Sequence, residues 1–269
     1  MFEGARFLRL ARAQWAEQWR PWAWFLGVGV IVHFVLMMLV LFADSRGHRG
    51  LNHELQSMIY LAGFYLTAPI FAARYFQGMA HRESATVLLM RPAAAFEKWL
   101  LAVLVVLVAY PLAYALAFQV VNLPASLYAQ ARVAAEVAGG VAGPAMDYRG
   151  NLARFGPLPP WQLFDDWREA VHLFLFVATL QGFAVLGSLY FRRMPFLKTV
   201  VAGFVLLLGL VFVVAVGSGQ PDTFFGWWDS DRARPTQGLA PVLVPLAWCL
   251  VPGLLWLAAL FALREREVA

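Results

Sequence analysis

Charge is what this sequence has least of. Only 14% of its 269 residues are Asp, Glu, Lys or Arg, against roughly 25% in soluble domains, so the chain has too little polar surface to cover a water-soluble fold. Cysteine is nearly missing as well: Cys249 stands alone in an apolar run, which excludes an intrachain disulfide. Lysine occurs only at Lys98 and Lys198, neither of them behind a glycine-rich turn. No G-x-x-x-x-G-K-[ST] run exists, so the chain holds no phosphate loop with which to hydrolyse ATP. The zinc signature H-E-x-x-H is absent too. His81, Arg82 and Glu83 come nearest, without the second histidine one helical turn later that a zinc ion needs. An Arg-bearing stretch of about twenty residues precedes the first apolar run and no A-x-A site closes it, so that run reads as a retained anchor and not as a cleaved signal.

What is present in quantity is apolar. Hydrophobic residues make up 61% of the chain and aromatics 15%, with eleven Trp, and the mean hydropathy is +0.65. Trp is enriched where helices leave hydrocarbon for headgroups. The formal charge of +5 comes from Arg and Lys dispersed between the apolar runs; they form no basic stripe of the kind nucleic acid requires, so no nucleic-acid partner is expected.

A bilayer core about 30 Å thick needs about 20 mostly apolar residues per helix. Windows of that kind lie at residues 22–43, 55–73, 99–121, 171–190, 199–216 and 243–263, and none contains Asp, Glu, Lys or Arg. A central charge costs about 2.5–3.5 kcal/mol on insertion scales, so such clean windows predict an all-α membrane protein with six transmembrane helices. There is no internal repeat and no linker, and residues 1–269 read as a single transmembrane domain. Orientation follows from the basic residues. Arg6, Arg9, Arg12, Arg20, Arg74, Arg82, Arg91, Lys98, Arg192, Arg193, Lys198, Arg264 and Arg266 share one side, which places both termini in the cytoplasm.

The segments outside the windows have their own character. On a helical wheel Leu8, Ala11, Trp15, Trp19 and Trp22 fall on one face, and Arg6, Arg9, Glu17 and Arg20 on another. This predicts an amphipathic interfacial helix over residues 1–21. The inner segment 74–98 is too long for a tight turn and contains a helical stretch in which His81, Arg82, Glu83 and Ser84 lead into Val87, Leu88, Leu89 and Met90. Pro92 then ends or restarts a helix. Outside, residues 122–168 form a long loop broken by Gly139, Gly140, Pro144, Pro157, Pro159 and Pro160, with a short helix expected near 129–138. The second outer segment, 217–239, sets Phe224, Phe225, Trp227 and Trp228 beside Asp229, Asp231, Arg232 and Arg234. That mixture suits a segment resting among headgroups or dipping in and returning.

Two places invite a chemical reading. His33 is the one ionisable residue well inside a window, and such residues are candidate sites by default; His33 is therefore the candidate substrate contact. The blander reading is a neutral histidine bonded to a neighbouring helix. Asp165, Asp166 and Glu169 form the only dense acidic group. They suit the N-terminal end of a helix better than magnesium, which would need a second facing cluster. No metal ligand set is expected. Pro111, Pro245 and Pro252 fall inside windows and predict kinks.

Residues Leu88, Leu89, Met90, Arg91, Pro92, Ala93, Ala94, Ala95, Phe96, Glu97, Lys98, Trp99 and Leu100 are similar to the "LLxLPxSxxEKxL" segment of ABC-2 type transporter membrane subunits. The charged ending Leu263, Arg264, Glu265, Arg266, Glu267, Val268 is similar to that family's tail. The chain departs from the pattern at Arg91, where leucine often stands, and at Ala94, where serine is usual. The resemblance implies a permease subunit of an ATP-driven exporter in a bacterial plasma (inner) membrane. It would work as a dimer with a second copy of the permease and be joined to a separate ABC ATPase that brings ATP and Mg; the chain itself would carry no cofactor and no catalytic residue. It also implies a coupling helix around His81, Arg82, Glu83, Ser84, Val87 and Leu88, flanked by Glu97 and Lys98, a connecting helix at 1–21, and a re-entrant segment between helices 5 and 6. The cargo expected of such apolar spans is hydrophobic or amphipathic, a lipid, peptide or drug-like molecule. The alternatives are an intramembrane enzyme acting on a lipid or isoprenoid through Asp165, Asp166 and Glu169, and a non-catalytic scaffold.

Overall fold

In hydrocarbon every backbone N–H and C=O must be bonded within the protein, and helices do this segment by segment. The computed structural model describes residues 3–42, 50–76, 93–139, 152–159, 162–164, 167–191, 195–218 and 240–268, and among them there is no strand. In chain order the helices are α1 (Gly4–Phe42), α2 (His53–Tyr75), α3 (Ala95–Leu104), α4 (Tyr110–Ala138), α5 (Trp167–Tyr190), α6 (Pro195–Ser218) and α7 (Ala240–Val268). A π-helical turn, Val105–Ala109, joins α3 to α4, and a single 3-10 turn spans Leu152–Phe155.

Five helical stretches are long and apolar enough to cross a membrane: Gly4–Phe42, His53–Tyr75, Ala95–Ala138, Trp167–Tyr190 and Trp248–Arg266. Helix α6 covers the remaining predicted window, 199–216. The exposed faces of these helices are themselves apolar. On α4, Leu112, Leu116, Val120, Leu123 and Leu127 are exposed at helical spacing, while Tyr110, Tyr114, Phe118, Val121, Ala125 and Ala129 are buried on the other side. Helix α1 likewise exposes Val28, Ile31, Val32, Val35 and Leu39 and buries His33, Met37 and Leu41. Apolar surface of this extent is unstable in water and suits contact with lipid. Cys249, on α7, is exposed on such a surface.

Two expected boundaries fall elsewhere. The amphipathic stretch 1–21 and the first window are not separate elements; α1 runs through both as one helix of 39 residues with Pro21 inside it, about 58 Å long at the standard rise. Both halves carry a helical period, and the one N–H that Pro21 lacks does not end the helix. Similarly, α4 continues past 121 to Ala138, so residues 122–128 are helix and not loop, and the helix expected near 129–138 is present as their continuation. Its buried stripe extends through Asn122, Ser126, Ala129 and Val133, and Gly139, whose N–H bonds the Ala135 carbonyl at 2.9 Å, closes it. The coupling residues His81, Arg82, Glu83, Ser84, Val87 and Leu88, together with Asp165, Asp166 and the aromatic segment at 219–239, lie outside the described residues.

The chain packs as two compact units. One comprises residues 1–16, 68–109 and 164–269, the other residues 17–67 and 110–163. In the first, small residues let helices approach closely, as is common between membrane helices. A Cβ at Gly187 of α5 would overlap the Thr199 side chain of α6, and one at Gly182 would lie 3.1 Å from Leu255 of α7. Trp99 Nε1 donates to the Trp256 carbonyl at 2.7 Å, and Trp256 Nε1 donates to the Ala178 carbonyl at 3.1 Å. The Val106 carbonyl, within the π turn, accepts from Gln181 Nε2 at 3.0 Å. Arg266, in the last turn of α7, donates to the Leu189 carbonyl.

The second unit is organised by amides. Gln56 of α2 donates to the Gly156 carbonyl at 3.0 Å and accepts from Asn122 Nδ2 at 3.0 Å and from the Leu158 N–H at 3.1 Å. Gln119 donates to the Leu158 carbonyl at 2.7 Å. Residues 152–158 are thereby fastened to α2 and α4, with Phe155 and Leu158 buried beneath them.

Candidate functional site

Glu97 is a buried charge of the first unit. It sits in the first turn of α3, ahead of the apolar run, and its side chain is 0% exposed. Its carboxylate accepts four N–H bonds. Arg6 Nη2 donates to Oε1 at 2.7 Å and Arg6 Nε to Oε2 at 2.8 Å, the two-pronged geometry that makes arginine a strong carboxylate partner. The Glu3 N–H donates to Oε1 and the Ala94 N–H to Oε2, both at 3.1 Å. The last of these is half of a capping box, which satisfies a donor that the helix start leaves open. The Arg6 guanidinium holds the carboxyl down to about 2 from an ordinary 4.5, with the Glu3 and Ala94 N–H bonds helping and burial opposing. The same bond raises the Arg6 guanidinium. Lys98, next in the chain, is buried as well. Glu97 joins the start of α1 to the point where the chain enters α3.

His33 is the buried ionisable group of the second unit, 5% exposed on the inner face of α1. Its Nδ1 lies 2.7 Å from the Gly29 carbonyl, one turn back in α1, and its Nε2 lies 3.0 Å from the Tyr114 hydroxyl of α4. Tyr114 in turn donates to the Tyr60 carbonyl of α2 at 2.9 Å. The bland expectation of a histidine bonded to a neighbouring helix thus describes its geometry. Phe118 stands edge-on to the imidazole with ring centres 5.5 Å apart. Around them Tyr60, Phe64, Tyr110 and Tyr114 form an aromatic cluster, with Phe64 stacked on Tyr110 at 6.3 Å and tilted against Tyr114 at 5.2 Å. A second chain of bonds runs beside the first, from the Tyr110 hydroxyl to Thr67 Oγ1 at 2.5 Å and from Thr67 Oγ1 to the Gly63 carbonyl at 2.7 Å. A crevice lined by Phe25, Gly29, Val30, His33, Thr67 and Tyr110 reaches this group.

Gly63 makes the arrangement possible. A Cβ there would overlap the Tyr114 hydroxyl and lie 2.8 Å from His33 Nε2. Sequence reading singled out His33 but neither Gly63 nor the tyrosines. The available signal was a glycine between Tyr60 and Phe64, and tyrosines at 110 and 114 one turn apart in otherwise aliphatic runs.

The remaining sequence candidates are less assembled. Glu169 occupies the first turn of α5. His172 stands edge-on to Trp248 with ring centres 4.3 Å apart. Among the described residues no group of three or more His, Cys, Asp or Glu side chains is placed to hold a metal ion. Comparison of the chain with family models, with curated proteins and with solved structures finds no match.

Proposed function

We propose that this chain is the membrane-spanning subunit of an ATP-driven exporter. In this reading it crosses the membrane six times with both termini cytoplasmic, dips back between its fifth and sixth spans, and pairs with a second copy. A separate ABC ATPase hydrolyses ATP, and the pathway carries a hydrophobic or amphipathic cargo. The observation that carries the reading is the Arg6–Glu97 pair, within a chain whose long helices expose apolar faces. Glu97 lies at the end of the segment 74–98, within the stretch 88–100 that is similar to the family's, and its carboxylate holds Arg6 and the Glu3 N–H. A push delivered to that segment by a closing ATPase would reach the start of α3 and, through this charge-assisted fork, the start of α1 at the same moment. The two-pronged pair transmits displacement because Glu97, fully buried, cannot let go of Arg6 without leaving its own charge unpaired.

The test is co-expression with an ATPase encoded beside this chain, followed by purification in detergent on a tag carried by the permease. The ATPase is expected to co-purify and to be lost when Glu83→Lys and Val87→Asp are introduced together, while the permease elutes unchanged. A folded wild-type chain that retains no ATPase rejects the reading. Fluorescent-protein fusions at either terminus are expected to fluoresce, since both ends would lie in the cytoplasm.

A further inference from the structure

The protons around His33 can be counted. Three short polar contacts form one chain: Gly29 carbonyl to Nδ1 at 2.7 Å, Nε2 to the Tyr114 hydroxyl at 3.0 Å, and that hydroxyl to the Tyr60 carbonyl at 2.9 Å. Each contact needs one proton between its two heavy atoms. Both carbonyls only accept, so Nδ1 must carry a proton for Gly29. With a neutral ring, Nε2 is then a bare acceptor, and the single Tyr114 hydroxyl proton faces two acceptors at once. Two protons serve three contacts. With a doubly protonated ring, Nδ1–H serves Gly29, Nε2–H serves the phenol oxygen, and the Tyr114 O–H serves Tyr60, so every contact is filled.

We propose that His33, Tyr114 and the Tyr60 carbonyl form a proton-binding site within the membrane-spanning part of the chain. This goes beyond the transport reading and does not depend on it. A hydronium ion gives up its proton to Nε2; an O–H bond breaks, an N–H bond forms, and water is left. The Tyr114 proton stays on its oxygen and swings wholly onto the Tyr60 carbonyl. A narrow crevice between Phe25, Gly29, Thr67 and Tyr110 reaches the ring. Protonation thereby adds a bond in the seam where α1, α2 and α4 meet, and release of the proton removes it.

Among the described residues, the groups in contact with the ring are neutral: the Gly29 carbonyl, the Tyr114 hydroxyl and the Phe118 ring. His33 is the only titratable side chain of α1 within residues 22–42, α2 presents Tyr60, and α4 presents Tyr110 and Tyr114. The apolar stretches of these three helices hold no Asp, Glu, Lys or Arg. No counter-charge therefore fixes the ring in its charged form, and hydrocarbon opposes a permanent cation.

The full chain, labelled with 15N-histidine and reconstituted in phosphatidylcholine vesicles, tests this by solid-state NMR. The chain has five histidines, and subtraction of the His33→Gln spectrum isolates the ring of interest. Going from pH 8 to pH 5, the His33 nitrogens are expected to change from the imidazole to the imidazolium pattern. Tyr114→Phe, which keeps the ring and deletes only the hydroxyl, is expected to lose most of that imidazolium signal at pH 5. A His33 that stays neutral throughout, or that titrates identically in Tyr114→Phe, overturns the proposal. Should His33→Gln fail to fold, the infrared difference spectrum between the same two pH values decides alone. A tyrosine C–O band shift present in the wild type and missing in Tyr114→Phe supports the site, and a spectrum without one overturns it.

Discussion

Glu97 and His33 are both buried ionisable side chains, one in each compact unit, and they are treated in opposite ways. Glu97 meets a formal positive charge and four N–H donors, so its charge is fixed and its acceptor capacity is well filled. His33 meets only carbonyl, hydroxyl and aromatic groups, with one proton too few for its contacts when neutral. A carboxylate held this way is a fastener. A histidine held the other way has a contact that stays unfilled unless the ring takes up a second proton. Burial alone therefore says little about what an ionisable group does; the sign and number of its partners decide it.

The comparison is broken most severely at Glu97. Glu97→Lys sets two cations against each other and leaves the Glu3 and Ala94 N–H groups facing a third set of donors; the expected outcome is loss of the monodisperse species on size exclusion in detergent. Arg6→Ala strands the carboxylate and is expected to lower the unfolding temperature by several degrees, with Glu97→Gln milder because its amide oxygen still accepts.

Acid offers a graded version of the same break. The folded-state value for Glu97 is depressed to about 2 from 4.5, so its stabilising contribution is complete above the ordinary value and is lost as pH falls from 4.5 towards 2. The unfolding temperature of the wild type should fall over that window faster than that of Glu97→Gln, and parallel curves would show that Glu97 gains nothing from its charge. On the His33 side, Gly63→Ala pushes a methyl group into the Tyr114 hydroxyl and should cost about 1–3 kcal/mol by overpacking, measured by thermal unfolding in detergent. The smallest effect is expected away from both groups. Gln181→Met leaves the Val106 carbonyl of the π turn without its 3.0 Å donor and should cost about 0.6 kcal/mol, the average for such bonds between membrane helices.

The membrane windows were legible because hydrocarbon thickness imposes a length and forbids charge, and both are properties of a contiguous stretch. Where one element stops and the next begins was not. The amphipathic start and the first window read as two elements, since their hydrophobicity differs, yet they share a helical period and only Pro21 interrupts the bonding, so α1 is continuous. Asn122 read as the start of an outer loop. Asn122 is instead buried against Gln56, 66 residues away in sequence, and a bond over that separation leaves no local trace. His33 was visible as an anomaly in an apolar run. Its phenol partner, 81 residues on, and the glycine that makes room for it belong to other helices and become meaningful only once those helices are packed.

The solitary Cys249 has a practical consequence. Because it is exposed on α7 and no other thiol competes with it, the natural chain accepts one spin label without any prior replacement of cysteines. A lipid-soluble maleimide would reach it where a charged reagent would not. In vesicles, a dipolar interaction between two such labels would show directly whether two copies associate, and at what separation, with every native side chain other than the labelled thiol left as it is.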